Sequence, residues 1–168
     1  MTAYVIDGAA SRVAVKARSN IHDTETRWTG VSGRIEADAA DLAGAVAAEV
    51  VIDMTRHDAG DFLRNRKLRK DLEVERYPAA RYRLTGLRDV VERGGGRFAA
   101  TAVGVIAWHG REVAVVAAGE GMVGADQIAA TARFDLDVRE LGVEPPRFLM
   151  FKVEDTVAVV VSLVARRG

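Results

Sequence analysis

Few residues of this chain could carry out acid–base chemistry. The three histidines are His22, His57 and His109, and no two of them stand two or four residues apart, the local spacing that metal sites often use. His57 with Asp58 and Asp61 could supply a general base and the carboxylate that orients it. However, these aspartates adjoin a predicted turn, where Asp is common as a helix N-cap. The pattern therefore favours a structural role and predicts neither a catalytic constellation nor a metal site.

A glycine pattern typical of dinucleotide sites occurs at Gly119, Gly121 and Gly124, which match G-x-G-x-x-G. That chemistry requires a helix to begin at the glycines, so that its N-terminus faces the pyrophosphate. The residues that follow, QIAATARFDLDV, alternate between apolar and polar and so predict a strand. We therefore expect these glycines to belong to a strand and its turn, and we expect no cofactor.

The basic run from Arg64 to Lys70 is the main candidate for binding an anion. The 24 basic and 24 acidic residues of the 168-residue chain cancel, so no global field favours nucleic acid or an acidic membrane. If the run lies at the mouth of a binding cavity, Arg64, Arg66 and Lys67 could contact an anionic head group. The alternative, which the pattern favours, is that the run is a solvated face. The chain has no cysteines, which excludes disulfides, thiolate metal sites and a cysteine nucleophile.

The elements that must position these residues are mostly strands with a period of two. They are predicted at residues 3–7, 11–19, 29–37, 46–53, 79–91, 97–108, 111–123, 127–138 and 156–165. Because their links are short, neighbouring strands must run antiparallel. One region, residues 58–72, predicts one or two short helical segments with Asp58 capping the first, and Tyr77-Pro78 ends the helical pattern. The sequence thus predicts one all-β domain, either a barrel or a sandwich.

Three predicted strands, AVAAEVVIDM, EVAVVAAGEGMV and TVAVVVSLVA, are apolar on both faces. Both of their faces must be covered, and small inward side chains would fill a barrel poorly, which favours an apolar cavity. The alternative is that the alanines reflect genome composition. From alternation alone, we expect the lumen to be lined by Val13, Val15, Ile35, Val50, Ile52, Tyr82, Leu84, Val103, Val105, Val115, Phe134, Leu136, Val159 and Val161.

Several segments together resemble the YceI-like family. They are DAGDFLRNRKLRKDL followed by Tyr77-Pro78, the hairpin region GVIAWHG, the opening YVIDGAASRVAV and the ending EDTVAVVVSLVA. Asn65 stands where the family has an acid, and Lys67 where it has a histidine. The resemblance implies one YceI-like domain over residues 1–168. It also implies an eight-stranded antiparallel, lipocalin-like barrel whose elongated apolar lumen holds a polyisoprenoid or similar amphiphile, with no catalytic constellation.

The expected function is therefore a non-catalytic carrier or sequestering protein for such a lipid. Two alternatives stay open: a lumen enzyme that uses one of the histidines with a nearby carboxylate, and a dimeric structural module that encloses nothing. Apolar outer faces predict a homodimer, and no apolar run is long enough for stable membrane insertion. No nucleic acid partner is expected. The sequence shows no export signal, which predicts a cytoplasmic location, or a periplasmic one if a leader was removed.

Overall fold

The computed structural model describes residues 1–20, 23–143, 147–148 and 151–168. Strands account for most of these residues, together with one α-helix and two short 3-10 helices. The strands are β1 Thr2–Ile6, β2 Arg12–Ser19, β3 Thr24–Trp28, β4 Val31–Ala37, β5 Ala47–Asp53, β6 His57–Asp58, β7 Ala79–Gly94, β8 Arg97–Trp108, β9 Arg111–Val123, β10 Gln127–Asp137, β11 Arg147–Phe148 and β12 Phe151–Arg167. The helices are η1 Gly8–Ala10, α1 Phe62–Asp71 and η2 Val138–Leu141.

The strands form a closed antiparallel barrel. Hydrogen-bonded neighbours follow the order β1, β4, β5, β7, β8, β9, β10, β12, and pairing of β1 with β12 completes a ring of eight. Strands β1 and β2 pair with successive parts of β12, so together they form one side of the ring. In the same way, β4 pairs with β1 and β3 pairs with β2, so β3 extends the position of β4 along the barrel. The expectation of an all-β, eight-stranded antiparallel barrel with a short helical segment is confirmed.

A buried serine forms hydrogen bonds with β12 between the end of β1 and the start of β2, where backbone pairing is interrupted. The 3-10 turn η1 interrupts pairing with β12 at this point. The Ser11 hydroxyl, which is 4% exposed, accepts a hydrogen bond from Val164 N at 3.0 Å and lies 3.3 Å from Val164 O. Val164 O also accepts from Asp7 N at 2.7 Å, so it is Val164 N that would lose its partner without the serine, and an unpaired polar group within a sheet is costly.

The two ends of the barrel are built differently. At one end, called the helix end here, α1, η2 and the β8–β9 turn come together: Trp108 Nε1 donates to Tyr77 O at 3.0 Å, and His109 Nε2 lies 2.7 Å from Leu72 O. At the other end, called the terminal end, the chain termini meet the β9–β10 turn. There the Tyr4 hydroxyl, on a side chain only 1% exposed, donates to Gly124 O at 3.1 Å.

Two details of the predicted elements were wrong. The helical region is one segment, as the prediction allowed, but it begins at Phe62 and its N-cap is Asp61, whose side chain accepts from Arg64 N at 2.9 Å. Asp58, the expected cap, lies in β6 and accepts from Gly60 N. The second detail is strand β3, which the apolar alternation missed because its inward positions include Thr24 and Thr26.

Candidate functional site: the barrel lumen

The barrel encloses an apolar cavity of about 550 Å³. This volume lies within the range of about 300–1,000 Å³ that is usual for small-molecule sites. Valine, leucine, isoleucine and alanine side chains dominate its lining. Four of the polar lining residues, Ser19, Thr24, Arg64 and Glu154, belong to elements at the helix end. The cavity therefore offers an apolar chain a long contact surface, with polar groups concentrated towards one end.

The cavity exists because three adjacent strands turn small residues inward. In register across β8, β9 and β10, Ala100 pairs with Gly119 and Gly119 with Ala132, while Ala102 pairs with Ala117. These residues, with Ala130, form what we call the small-residue wall. A normal core packs such positions to high density. Here the missing side-chain volume is the space of the lumen.

Tyr82 is the one phenol among the residues that line the cavity in the described part of the chain. Its hydroxyl lies where a Cβ at position 104 would stand, so Gly104 makes room for the ring. Burial raises the pKa of Tyr82 above its ordinary value of 10.0, because the phenolate would lose its hydration. The ring thus brings one neutral polar group into an otherwise apolar wall.

Most of the predicted lumen residues lie at the cavity. They are Val13, Val15, Ile35, Val50, Ile52, Tyr82, Leu84, Val115, Phe134, Leu136, Val159 and Val161, and their role as ligand contacts stays a prediction. Val103 and Val105 were placed on the wrong face. Ala102, Ile106 and Trp108 line the cavity from β8, so the odd-numbered residues of the strand point outward. The signal that could have oriented β8 is Arg97 and Thr101, which share the outward face with Val103 and Val105.

The basic helix brings only one of its predicted contacts to the cavity. Arg64 and Leu68 lie one turn apart on the inward face of α1 and line the lumen. Arg66 is exposed on the opposite face, and Lys67 Nζ lies 3.0 Å from Asp71 Oδ2. Contact of Arg66 and Lys67 with a head group inside the lumen is therefore not supported by their positions, whereas contact of Arg64 stays a prediction.

The two described histidines hold backbone segments together. The ring nitrogens of His57 lie 3.1 Å from Met54 O and 3.2 Å from Asn65 O, which ties the end of β5 to α1. The suggested pairing of His57 with Asp58 and Asp61 is wrong, because both ring nitrogens face these backbone carbonyls, while the carboxylates accept bonds from nearby backbone amides. His22 lies outside the described residues.

His109 packs 4.3 Å from both the Tyr77 and Trp108 rings, measured between centroids. Within the described ranges, no group of three or more His, Asp or Glu side chains is arranged so that it could hold a metal ion. In the same part of the chain, every helix is too short or too polar to cross a bilayer.

Comparison with known proteins identifies the relatives of this barrel. The family model for the YceI-like domain matches residues 4–165, which is nearly the whole chain. The chain belongs to the YceI-like family. No curated protein sequence matches it.

Solved YceI-like structures share the fold at low sequence identity. BcnA from Burkholderia cenocepacia superposes with a TM-score of 0.78 at 20% identity, covering 95% of this chain and 98% of BcnA. A polyisoprenoid binding domain from Saccharophagus degradans, described as implicated in plant cell wall breakdown, gives a TM-score of 0.78 at 18% identity over 100% of both chains. The YceI protein of Campylobacter jejuni gives 0.69 at 12% identity, covering 85% of this chain and 84% of that one.

The YceI-like barrel also has lumen residues that the sequence did not reveal. Thr24, Thr26 and Trp28 line it from β3, where Glu25 and Arg27 take the outward positions. Trp28 is 6% exposed, and its Nε1 has no hydrogen-bond partner in the described part of the chain. The signal that could have found β3 is its threonines, since β-branched residues favour strands whether or not they are apolar.

Proposed function

We propose that this protein is a non-catalytic carrier that holds a polyisoprenoid or similar long amphiphile in its lumen. The observation that carries the proposal is the apolar cavity of about 550 Å³ along the small-residue wall. The YceI-like family and the polyisoprenoid binding domain among its structural neighbours support a binding role. The lipid's apolar chain lies against β8, β9 and β10, where the protein supplies the least side-chain volume.

The energetic source of binding is burial of the lipid chain. Each methylene removed from water contributes roughly 0.8 kcal/mol, so about ten carbons could gain roughly 8 kcal/mol before ordering costs. The head group lies towards the helix end, where Arg64, Ser19 and Thr24 line the cavity. Arg64, which lies 3.5 Å from Asp61 Oδ2, supplies a cation at that end, and Glu154 supplies a carboxylate.

Native mass spectrometry of the purified protein tests the proposal. We expect an added mass that disappears under denaturing conditions and that is recovered as a prenyl or other long-chain lipid in an organic extract. Delipidated protein should regain a mass shift when it is incubated with a polyprenol. A protein that carries no lipid and takes up none would contradict the proposal and favour the structural module.

A further inference from the structure

Helix α1 has two faces with different environments. Its inward face carries Arg64 and Leu68, which line the lipid cavity. Its outward face carries Phe62, Leu63, Arg66, Arg69 and Lys70, all of them exposed. These five follow the helical spacing i, i+1, i+4, i+7 and i+8, so they form one continuous stripe on the solvent side. We call it the outward stripe.

The stripe exposes large apolar side chains where a soluble helix normally buries them. Phe62 is 76% and Leu63 71% exposed, and the two lie together in the first turn of α1. Amphipathic helices usually turn such residues towards the protein core. Adjacent exposed apolar residues with a surrounding polar rim are typical of an interaction site.

The charges along the stripe indicate what covers it. Arg69 is paired with Glu75 at 2.6 Å, whereas Arg66 and Lys70 have no ion pair within the residues that the structure describes. The stripe itself contains no acidic residue. Aromatic and leucine side chains beside Lys and Arg are what an interfacial helix presents to an anionic bilayer.

We propose that the outward stripe of α1 docks the barrel reversibly on an anionic lipid bilayer, with Phe62 and Leu63 entering the interface and Arg66 and Lys70 contacting lipid phosphates. Two apolar side chains and two unpaired cations give weak attachment, far from the insertion of a membrane-spanning segment. Because Arg64 and Leu68 line the cavity from the same helix, docking would place the helix end against the lipid supply. The purpose of docking rests on the proposed carrier function, but the docking itself does not.

Vesicle flotation tests the proposal with the full chain. We expect wild-type protein to float with vesicles of phosphatidylcholine mixed with phosphatidylglycerol, but not with phosphatidylcholine alone. Raising the salt from about 0.1 M to about 1 M shortens the screening length from about 10 Å to about 3 Å and should release the protein. Absence of flotation with either vesicle, or equal flotation with both, would overturn the proposal.

Two double variants test the residues. Phe62→Ser with Leu63→Ser should weaken vesicle binding by about tenfold or more, because the buried apolar contact is lost. Arg66→Gln with Lys70→Gln should weaken it by about fivefold for each charge removed. The matched controls are Val91→Ser with Met122→Ser and Arg88→Gln with Arg93→Gln, which change exposed residues of β7 and β9 in the same way. Equal loss in variants and controls would contradict docking through α1.

Native mass spectra of the same samples separate this proposal from the carrier function. The Phe62→Ser and Leu63→Ser protein should keep its lipid while it loses vesicle binding, since neither side chain lines the cavity. A loaded wild-type protein that binds no vesicles would refute the docking alone, and an empty one that binds them would refute the carrier function alone. A third outcome would also overturn docking: the wild type binds no vesicles and is a dimer, whereas the Phe62→Ser and Leu63→Ser variant has the mass of a monomer. That result would show that a second copy of the chain covers the outward stripe.

Discussion

The lumen can be narrowed at one position without disturbing the backbone. A Cβ built on Gly119 would meet its nearest neighbours, Ala100 O and Thr131 O, at 3.5 and 3.9 Å, which is ordinary van der Waals contact. At Gly121, by contrast, it would collide with Ala129 O. Gly119→Leu therefore places four side-chain carbons in the cavity from the middle of the small-residue wall. Ala118→Leu adds similar apolar bulk one residue earlier, on the exposed face of β9, and is the matched control.

The size of the effect follows from the displaced lipid. Four carbons that lose their place in the lumen, each contributing about 0.8 kcal/mol, weaken binding by about 3 kcal/mol, or roughly 150-fold. The delipidated Gly119→Leu protein should in turn unfold at a higher urea concentration, because burying a leucine stabilises a protein by about 1.5–3 kcal/mol. Opposite signs for ligand affinity and for the stability of the empty protein are the specific signature of lumen filling.

Titration of delipidated protein with a fluorescent polyprenol analogue measures the affinity, and urea unfolding measures the stability. We expect Ala118→Leu to match the wild type in affinity. If Gly119→Leu also binds with wild-type affinity, the ligand does not occupy the space beside the small-residue wall. If the empty protein is instead destabilised, the wall is already packed and the cavity does not accept added volume.

Three further predictions concern single residues. Burial raises the pKa of Tyr82, so above about pH 10 the unfolded chain loses the Tyr82 proton first and the free energy of unfolding falls as the pH rises. Tyr82→Phe should reduce this alkaline loss of stability, measured by urea unfolding at several pH values. An unchanged dependence of the free energy of unfolding on pH would contradict the prediction. Ser11→Ala should lower the free energy of unfolding by about 1–3 kcal/mol, because Val164 N loses its buried acceptor. The control Ser32→Ala, on the exposed face of β4, should lower it little. Equal losses of stability would contradict the role given to the Ser11 hydroxyl. The predicted homodimer would cover Val116, which is 58% exposed and pairs with Val103. Val116→Asp should then separate the subunits and halve the mass measured by light scattering. A wild-type protein that is already monomeric would contradict this prediction.

Alternation predicted the barrel well wherever a strand had one polar face. In β10, Arg133 and Asp135 are outward and leave Phe134 and Leu136 in the lumen. On β8 the polar residues Arg97 and Thr101 precede a stretch without such contrast, in which Val103 and Val105 alternate with Gly104 and Ile106. A strand with two apolar faces carries no information on its own orientation.

The ends of the barrel were harder to predict than its wall. Phe62 and Leu63 follow Ala59 by three and four residues, a spacing typical of one helix face, yet Ala59 is buried while both of them are exposed. A run of ten residues with five cations has no clear apolar stripe, so packing of Leu68 and Leu72 against the barrel decides which way the helix faces. That choice depends on long-range contacts and cannot be read from local periodicity.

If the protein is the proposed carrier, the small-residue wall also makes its stability depend on the ligand that it holds. A chain that leaves a hole at its centre is missing part of its own core, and a lipid bound as proposed would supply that part. At a free ligand concentration a hundred times the Kd, such a guest adds about 2.7 kcal/mol to the free energy of unfolding, a large share of the roughly 5–15 kcal/mol typical of a domain. The loaded protein would therefore outlast the empty one in the presence of proteases, and its abundance would follow the supply of the molecule that it holds.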